Sequence, residues 1–372
     1  MQVPRTQHLA LYFFRLGAVG FGGPVALVAR MRRELVEDRG WVRETDFREG
    51  LALAQVAPGP LAAQLAMYIG WLDRGAIGAA IIGFAFVLPS LVIVLVLAEL
   101  YARAGRMPLI SMLFYGVGAA VIAVIARSGV RLAKSTIQRD MMLWLVVAVN
   151  ATATVTLRRE LIPLVFASGL MVMLMRSRAT VRTPAASSFI LAAPFALPLG
   201  TSLTAILFFF AASGLVVFGS GLAIIPFLHG GVVLERHWLT EQQFLDAVAI
   251  SLLTPGPVVI TVAFIGSLVA GLSGGLVAAI GVFLPAFAVV CLVAPHFARM
   301  RERSSVQSFA SGVTAAAVGA LLGAVAVMAT RTLVDATTFA IAVTALIILI
   351  LRPKIPEPAL LAGAAIAGVI LR

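Results

Sequence analysis

The sequence predicts an all-α polytopic membrane protein made of two homologous halves, and three observations carry that prediction. Of its 372 residues 61% are hydrophobic and 12% charged, with a mean hydropathy of +1.05, which lies outside the range of water-soluble domains. Apolar stretches close to the roughly 20 residues that cross a ~30 Å hydrocarbon core recur from end to end. A long segment is repeated in register, and each copy carries Pro-Gly-Pro in the middle of an apolar stretch.

Taken in order, the first series of stretches runs Leu9 to Ala29, Gly50 to Leu72, Ala76 to Tyr101, Leu109 to Ala126, Met141 to Leu157 and Glu160 to Met175. The second runs Thr204 to Pro226, Ala247 to Ala270, Ser273 to Pro295, Phe309 to Ala329, Thr337 to Leu351 and Pro358 to Leu371. The polar, small-residue-rich segment Arg176 to Ser188 reads as a linker. This gives a first repeat over 1–175, a linker over 176–203 that holds a short apolar piece, Phe189 to Leu199, and a second repeat over 204–372.

Phe21 to Pro60 aligns without a gap onto Phe218 to Pro257, pairing Trp41 with Trp238, Glu44 with Glu241 and Phe47 with Phe244. One residue is then dropped, and Gly70, Gly75, Gly78 and Pro89 fall on Gly266, Gly271, Gly274 and Pro285. Such repeats are typical of secondary transporters, whose substrate site lies between the halves near the midplane. Parity decides whether the copies are parallel or inverted. Counting Phe189 to Leu199 as a crossing, or Leu9 to Ala29 as a re-entrant hairpin, inverts the second copy, and inversion is the favoured reading.

Pro58-Gly59-Pro60 and Pro255-Gly256-Pro257 are the features that demand explanation. Proline lacks the amide hydrogen and clashes inside a helix, but neither fault matters at the first position of a new one. Each tripeptide therefore reads as the end of one half-helix and the start of another. From Leu61 to Trp71 the second half is roughly 16 Å long, about half the hydrocarbon thickness, so the break falls near mid-membrane. A helix start there offers free amides and the positive end of a dipole, which suits an anion, and it is tolerated only inside protein or against a water-filled cavity. Phe21-Gly22-Gly23-Pro24 is a comparable interruption in the first span; its partner keeps Gly219 and Gly221 around Ser220 but has no proline at the matched place.

Few polar residues flank the breaks. Gln55 and Gln64 flank the first tripeptide, while Ser251 and Thr254 precede the second. Each could hydrogen-bond an oxyanion or satisfy a freed carbonyl. Arg15 lies within the first span, where it faces a cavity or snorkels to the interface. Arg30 and Arg33 open a segment of mixed charge that reads as an interfacial helix pairing its own charges with Glu34 and Glu37, or as a mouth that gathers anions.

The net charge of +12 is scattered among apolar spans, not arranged as a stripe with interleaved aromatics, so it predicts no nucleic-acid partner. Cys291 is the only cysteine, which excludes an intrachain disulfide and a cysteine metal site. No His-Glu-x-x-His, phosphate-binding loop or aspartate cluster is present, and His8, His229, His237 and His296 lie apart. Neither a cofactor nor a resident metal is predicted, and transport would run on ion gradients or passively. Glu99, Glu160 and Asp335 read as span-end acids. A membrane enzyme acting on lipid phosphates is the rival of another class, and the lack of an acid-base or metal cluster counts against it.

The stretches "FRLGAVGFGGP", "GWVRETDF" and "LALAQVAPGP" in the first half, with "VVFGSGLAIIPFL" and "RHWLTEQQFLDAVAISLLTPGPVVIT" in the second, resemble the chromate ion transporter family in its two-domain long form. The resemblance covers most of Leu11 to Arg103 and Leu215 to Pro295. It implies an inner-membrane protein of two oppositely oriented halves that exports chromate and so confers resistance, with sulfate as the expected competitor. One departure is Ser251-Leu252 where family members often have Gly-Gln. The substrate site expected from the breaks and from these motifs comprises Arg15, Phe21, Gly22, Gly23, Pro24, Arg30, Gln55, Pro58, Gly59, Pro60 and Gln64 from the first half, and Gly219, Ser220, Gly221, Ser251, Thr254, Pro255, Gly256 and Pro257 from the second. The expected partners are a chromate- or sulfate-like oxyanion and the bilayer; a homodimer stays open.

Overall fold

A computed structural model describes residues 6–21, 23–104, 108–158, 161–177, 201–217, 221–297, 304–352 and 355–371. Gly22, Gly219, Ser220 and the segment Phe189 to Leu199 lie outside the described residues. The described residues are helical throughout and contain no strand. The first half holds α1 (Thr6–Val19), α2 (Gly23–Met31), α3 (Glu44–Val56), α4 (Leu61–Ala104), α5 (Pro108–Ile137), α6 (Met141–Leu157) and α7 (Ile162–Ser177). The second holds α8 (Leu203–Val216), α9 (Ile225–Leu228), α10 (Glu241–Leu253), α11 (Thr261–Val293), α12 (Ser304–Thr332), α13 (Ala336–Leu351) and α14 (Glu357–Leu371). Wide π-helical turns extend α2 over Arg32–Asp38 and α9 over His229–Glu235.

The structure changes the reading of the first two stretches of each half, for they are hairpins and not crossings. A Cβ at Gly50 would lie 2.3 Å from Tyr68 Cδ1. Eighteen residues of continuous helix would hold those positions about 27 Å apart. The chain therefore reverses at Pro58 to Pro60, and α3 lies against the start of α4. The Arg39 guanidinium sits 5.3 Å from the Tyr12 ring and 4.6 Å from Trp41, so the chain has also turned back between α1 and α2. The second half repeats this with Arg236 at 4.5 Å from Phe209 and 5.5 Å from Trp238.

α4 and α11 each contain a second reversal. Arg74 and Gly75 leave helical geometry, Gly75 at φ 58°, and Ala270 and Gly271 do the same, Gly271 at φ 65°. Gly70 and Gly78 then come so close that a Cβ on Gly78 would stand 2.0 Å from the Gly70 carbonyl oxygen, and Gly266 and Gly274 repeat the contact at 2.2 Å. Only residues without side chains allow this approach. The limb 76–104 is long enough, at about 43 Å, to cross the bilayer. Among the described residues, four helical stretches, Leu61–Arg103, Met112–Ile137, Val258–His296 and Ser305–Thr332, are apolar and long enough to cross.

Thr6 bonds Asp73 at 2.6 Å, which puts the start of α1 and the reversal at 74–75 on one face. We call this the near face, and the opposite one the far face. Tyr101, at the other end of α4, donates to Asp246 at 2.5 Å, in the outer half of α10. The second half therefore opens its hairpins to the far face, and the repeats are inverted. Residues 177 and 201 accordingly lie on opposite faces. The halves also exchange helices. α5 packs on α13 and α14, while α12 packs on α6 and α7, with Gly116 against Ala364 and Gly368, and Gly319 against Val147 and Asn150.

Candidate functional site

Each break is held by the other half. The Gly59 amide donates to the Val217 carbonyl at 2.7 Å, and the Gly256 amide donates to the Gly20 carbonyl at 2.9 Å. Val217 is the repeat partner of Gly20, so the two bonds are related by the internal twofold. Gly59 adopts φ 140° and Gly256 φ 99°; a Cβ on Gly59 would meet Gln64 of its own hairpin at 2.6 Å and Ala286 of the opposite spanning limb at 2.8 Å, and one on Gly256 would meet Ser90 Oγ of the opposite spanning limb at 2.7 Å. Each Pro-Gly-Pro tip is thus docked on the end of the first helix of the other half, α1 or α8. The tip amides at Gly59 and Gly256 are already engaged, which narrows the free donors to the residues that follow.

Pro24, Leu27, Pro60, Leu61, Ala62, Gly221, Gly256, Pro257, Val258 and Val259 enclose one cavity of ≈ 10 Å³, room for about one water molecule. Leu61 and Ala62 begin α4, and Val258 and Val259 begin the short turn before α11. The first amides of a helix have no carbonyl one turn back to donate to, so two helix starts of opposite direction, one from each half, converge here. The lining side chains are apolar, and any polar recognition falls to backbone and dipole. A tetrahedral oxyanion requires the tips to part.

The other expected site residues are placed as follows. Gln64 is fully buried; its Nε2 donates to the Pro58 carbonyl at 2.7 Å, while its Oε1 is buried without a protein donor. Ser251 donates to the Val248 carbonyl at 2.8 Å and accepts from Thr261 Oγ1 at 2.5 Å, and Thr254 donates to the Ser251 carbonyl at 3.0 Å. These second-half hydroxyls are fully engaged in satisfying their own hairpin. Gly23, at φ 76°, is half-buried, Phe21 is 49% exposed and Pro58 and Pro255 flank the tip glycines. Gln55 is exposed near the tip end of α3 and does not line the cavity. Arg15 is exposed on α1 and does not line the cavity. Arg30 pairs with Glu34 at 2.7 Å, as the interfacial-helix reading expects.

The two approaches to the tips differ. On the far side, α10 is buried without a break from Phe244 to Leu252, and hydrogen bonds tie the halves there: Tyr101 to Asp246, Gln242 to the Phe114 carbonyl at 3.5 Å and Tyr115 to Asp335 at 2.5 Å. On the near side α3 buries only Phe47, Gly50, Leu53 and Ala54. Its outer end carries solvated ion pairs, where Arg48 and Arg32 beside Glu44 hold that carboxyl below the usual carboxylate range. Leu27, Leu61, Ala62, Val258 and Val259, which line the cavity, carry no polar group that would single them out in sequence. Tyr101 and Asp246 were also missed, although Asp246 is the repeat partner of Glu49.

A family model described as chromate transporter matches the chain twice, over residues 7–173 and 204–369. A chromate transport protein of Cupriavidus metallidurans is 46% identical over 98% of this chain and 92% of its own length. A probable chromate transport protein of Synechococcus elongatus is 48% identical over 98% of this chain and 95% of its own. A chromate transport protein of Pseudomonas aeruginosa is 33% identical over 84% of this chain and 78% of its own. No solved structure matches the chain.

Proposed function

The chain belongs to the chromate transporter family, and from that premise we propose that it exports chromate across the plasma membrane by alternating access around the cavity where the broken hairpins meet. The observation that carries this reading is the convergence of two helix starts, one from each inverted half, on one mid-depth cavity. Helix starts favour an anion without a buried cation, and a site shared between inverted halves can be offered to either face in turn. With no nucleotide-binding motif in the sequence, the proton-motive force is the proposed energy source.

The re-entrant topology also bears on orientation. The two basic segments, Arg30 to Arg48 and Arg127 to Arg139, fall on opposite faces when every stretch is counted as a crossing; with the hairpins in place both belong to the near face. The excess of Lys and Arg there supports a cytoplasmic near face. The exposed α3 then describes a state reached from the cytoplasm, as an exporter needs when it loads. Everted vesicles containing the protein and energised by a proton gradient should accumulate labelled chromate; uptake equal to that of vesicles without it overturns the reading.

A second reading, a permease for sulfate or other oxyanions, is favoured by the lining itself, which has only apolar side chains and backbone and so recognises charge and shape. Competition by sulfate, molybdate and phosphate, together with the direction of flux, separates the two.

A further inference from the structure

Ten residues before the middle glycine of each tripeptide stands a carboxylate, Glu49 in the first half and Asp246 in the second. They are housed differently. Glu49 is half-buried and lies beside Tyr68 of its own hairpin. Asp246 is 3% exposed, accepting from Tyr101 Oη at 2.5 Å and from Gln242 Nε2 at 2.7 Å. Tyr101 comes from the spanning limb of the other half, and its ring packs against Phe264 at 5.4 Å and Phe114 at 5.6 Å. This bond is thus one of those that tie the halves together at the far mouth, and the only one of them that is made to a buried carboxylate.

Both donors to Asp246 are neutral, and the charges on the surrounding elements are engaged elsewhere. On α10 itself, Glu241 is bonded by His229 at 2.7 Å and by Arg331 of α12 at 3.3 Å. On α4, Glu99 and Arg103 pair with each other at 2.7 Å. α11 has no charged residue. On α14, Glu357 lies at the near-face end, beside Arg131 and Arg127 of α5, and Asp335, before α13, caps its own helix and takes the Tyr115 bond. An ionised carboxylate shut away from water without a cation is costly, whereas a protonated one is not.

We propose that Asp246 is a proton-binding latch on the far mouth, shut against Tyr101 when protonated and released to far-face water when ionised. The proton is exchanged with far-face water alone, and no other covalent bond forms or breaks. Glu49, on the more exposed hairpin, is the corresponding group of the near side. The inference rests on the alternating-access reading, in which the far mouth must open.

The test uses the full chain in proteoliposomes, with labelled chromate flux followed as far-face pH is varied at fixed near-face pH. Wild-type flux should rise with far-face pH through the latch's midpoint. Asp246→Asn, which stays neutral, should be slow and insensitive to far-face pH, and Asp246→Glu should restore the dependence. An Asn variant that keeps the wild-type dependence overturns the latch. Tyr101→Phe keeps the carboxylate and removes a donor to its ionised form, so the midpoint should move up by about one pH unit; an unmoved midpoint overturns the latch even if the Asn variant is inactive. Alternating access is checked separately in a Cys291→Ser background with Tyr101→Cys and Asp246→Cys, bridged by a cleavable bifunctional thiol reagent long enough to span the gap that the tyrosine ring fills. Bridging should stop the flux that the unbridged pair retains and cleavage of the bridge should restore it, and unchanged flux through the bridged protein overturns the opening of this mouth.

Discussion

The two broken hairpins have the same backbone and opposite surroundings. α10 and the turns around it are enclosed, with Phe244 to Leu252 and His229 to Val233 buried, because α5 of the first half lies over them and α12 adds to the cover. α3 and its π-helical neighbour keep a solvated face, where Leu35 alone is buried between Arg32 and Asp38. Polar chemistry follows the same division. The second tip satisfies itself through Ser251, Thr254 and Thr261, whereas the first has Ala54 in place of Ser251 and a glutamine with an unpaired oxygen. The lesson is that a twofold repeat of sequence does not force a twofold structure, and the departure records which mouth is shut.

The largest effect is expected where the halves are alike. Gly59→Val and Gly256→Val each put a β-branched residue at positive φ, which costs about 1–3 kcal/mol in backbone strain, and each drives a side chain into the opposite spanning limb. Both should insert in the membrane and lose chromate flux. The contacts differ, so Ser90→Gly should partly rescue Gly256→Ala, and Ala286→Gly should rescue Gly59→Ala less, because Gln64 still stands 2.6 Å from that Cβ. Rescue in the crossed combinations instead would break the assignment of each tip to its neighbour.

The arginines that close the hairpins come next. The Arg236 side chain is 4% exposed, while Arg39 lies at the exposed near face, and each stacks on two aromatic rings. Cation–π contacts are worth about 0.5–1 kcal/mol in water and about 2 when desolvated. Arg236→Ala should therefore lower the melting temperature in detergent clearly more than Arg39→Ala. Equal losses would mean that the two mouths are equally covered in solution.

A smaller difference is expected at the tips. Thr261→Val removes bonds to Ser251 and to the Val258 carbonyl and should cost about 1–2 kcal/mol. Gln64→Met leaves the Pro58 carbonyl without its donor but also removes an oxygen that has no partner, so its net cost should be less, about 1 kcal/mol or below. Thermal stability measures both. A Gln64 variant that is stable yet has altered chromate affinity would put the unpaired oxygen at the ligand.

The repeat and its glycines could be read from sequence because they follow from local chemistry. Pro60 and Pro257 cannot continue a helix, and Gly59 and Gly256 take backbone angles that other residues avoid. Re-entrance could not be read in the same way. A stretch such as Leu51 to Trp71 has one hydropathy whether its two limbs continue straight or fold back, and only the contact of Gly50 with Tyr68 distinguishes them. That contact in turn brings the basic segments onto one face. Asp246 stands where the polar start of α10 gives way to an apolar run, so it reads as a span-end acid, and the usable signal was its register with Glu49.

Arg15 should give the smallest effect, and its value lies in that. A charge within the first apolar stretch could face the ligand or reach the interface. α1 turns out to be one limb of a hairpin that begins at the near face, and Arg15 is only about 14 Å along it, so its long side chain can return to the headgroups. It is exposed and outside the cavity lining, while its repeat partner is Ala212, so the twofold site has no matching charge. Arg15→Gln should leave the apparent chromate affinity of proteoliposome flux unchanged. A severalfold rise in KM would place this charge on the anion's near-face route and make the difference between the two mouths one of attraction as well as access.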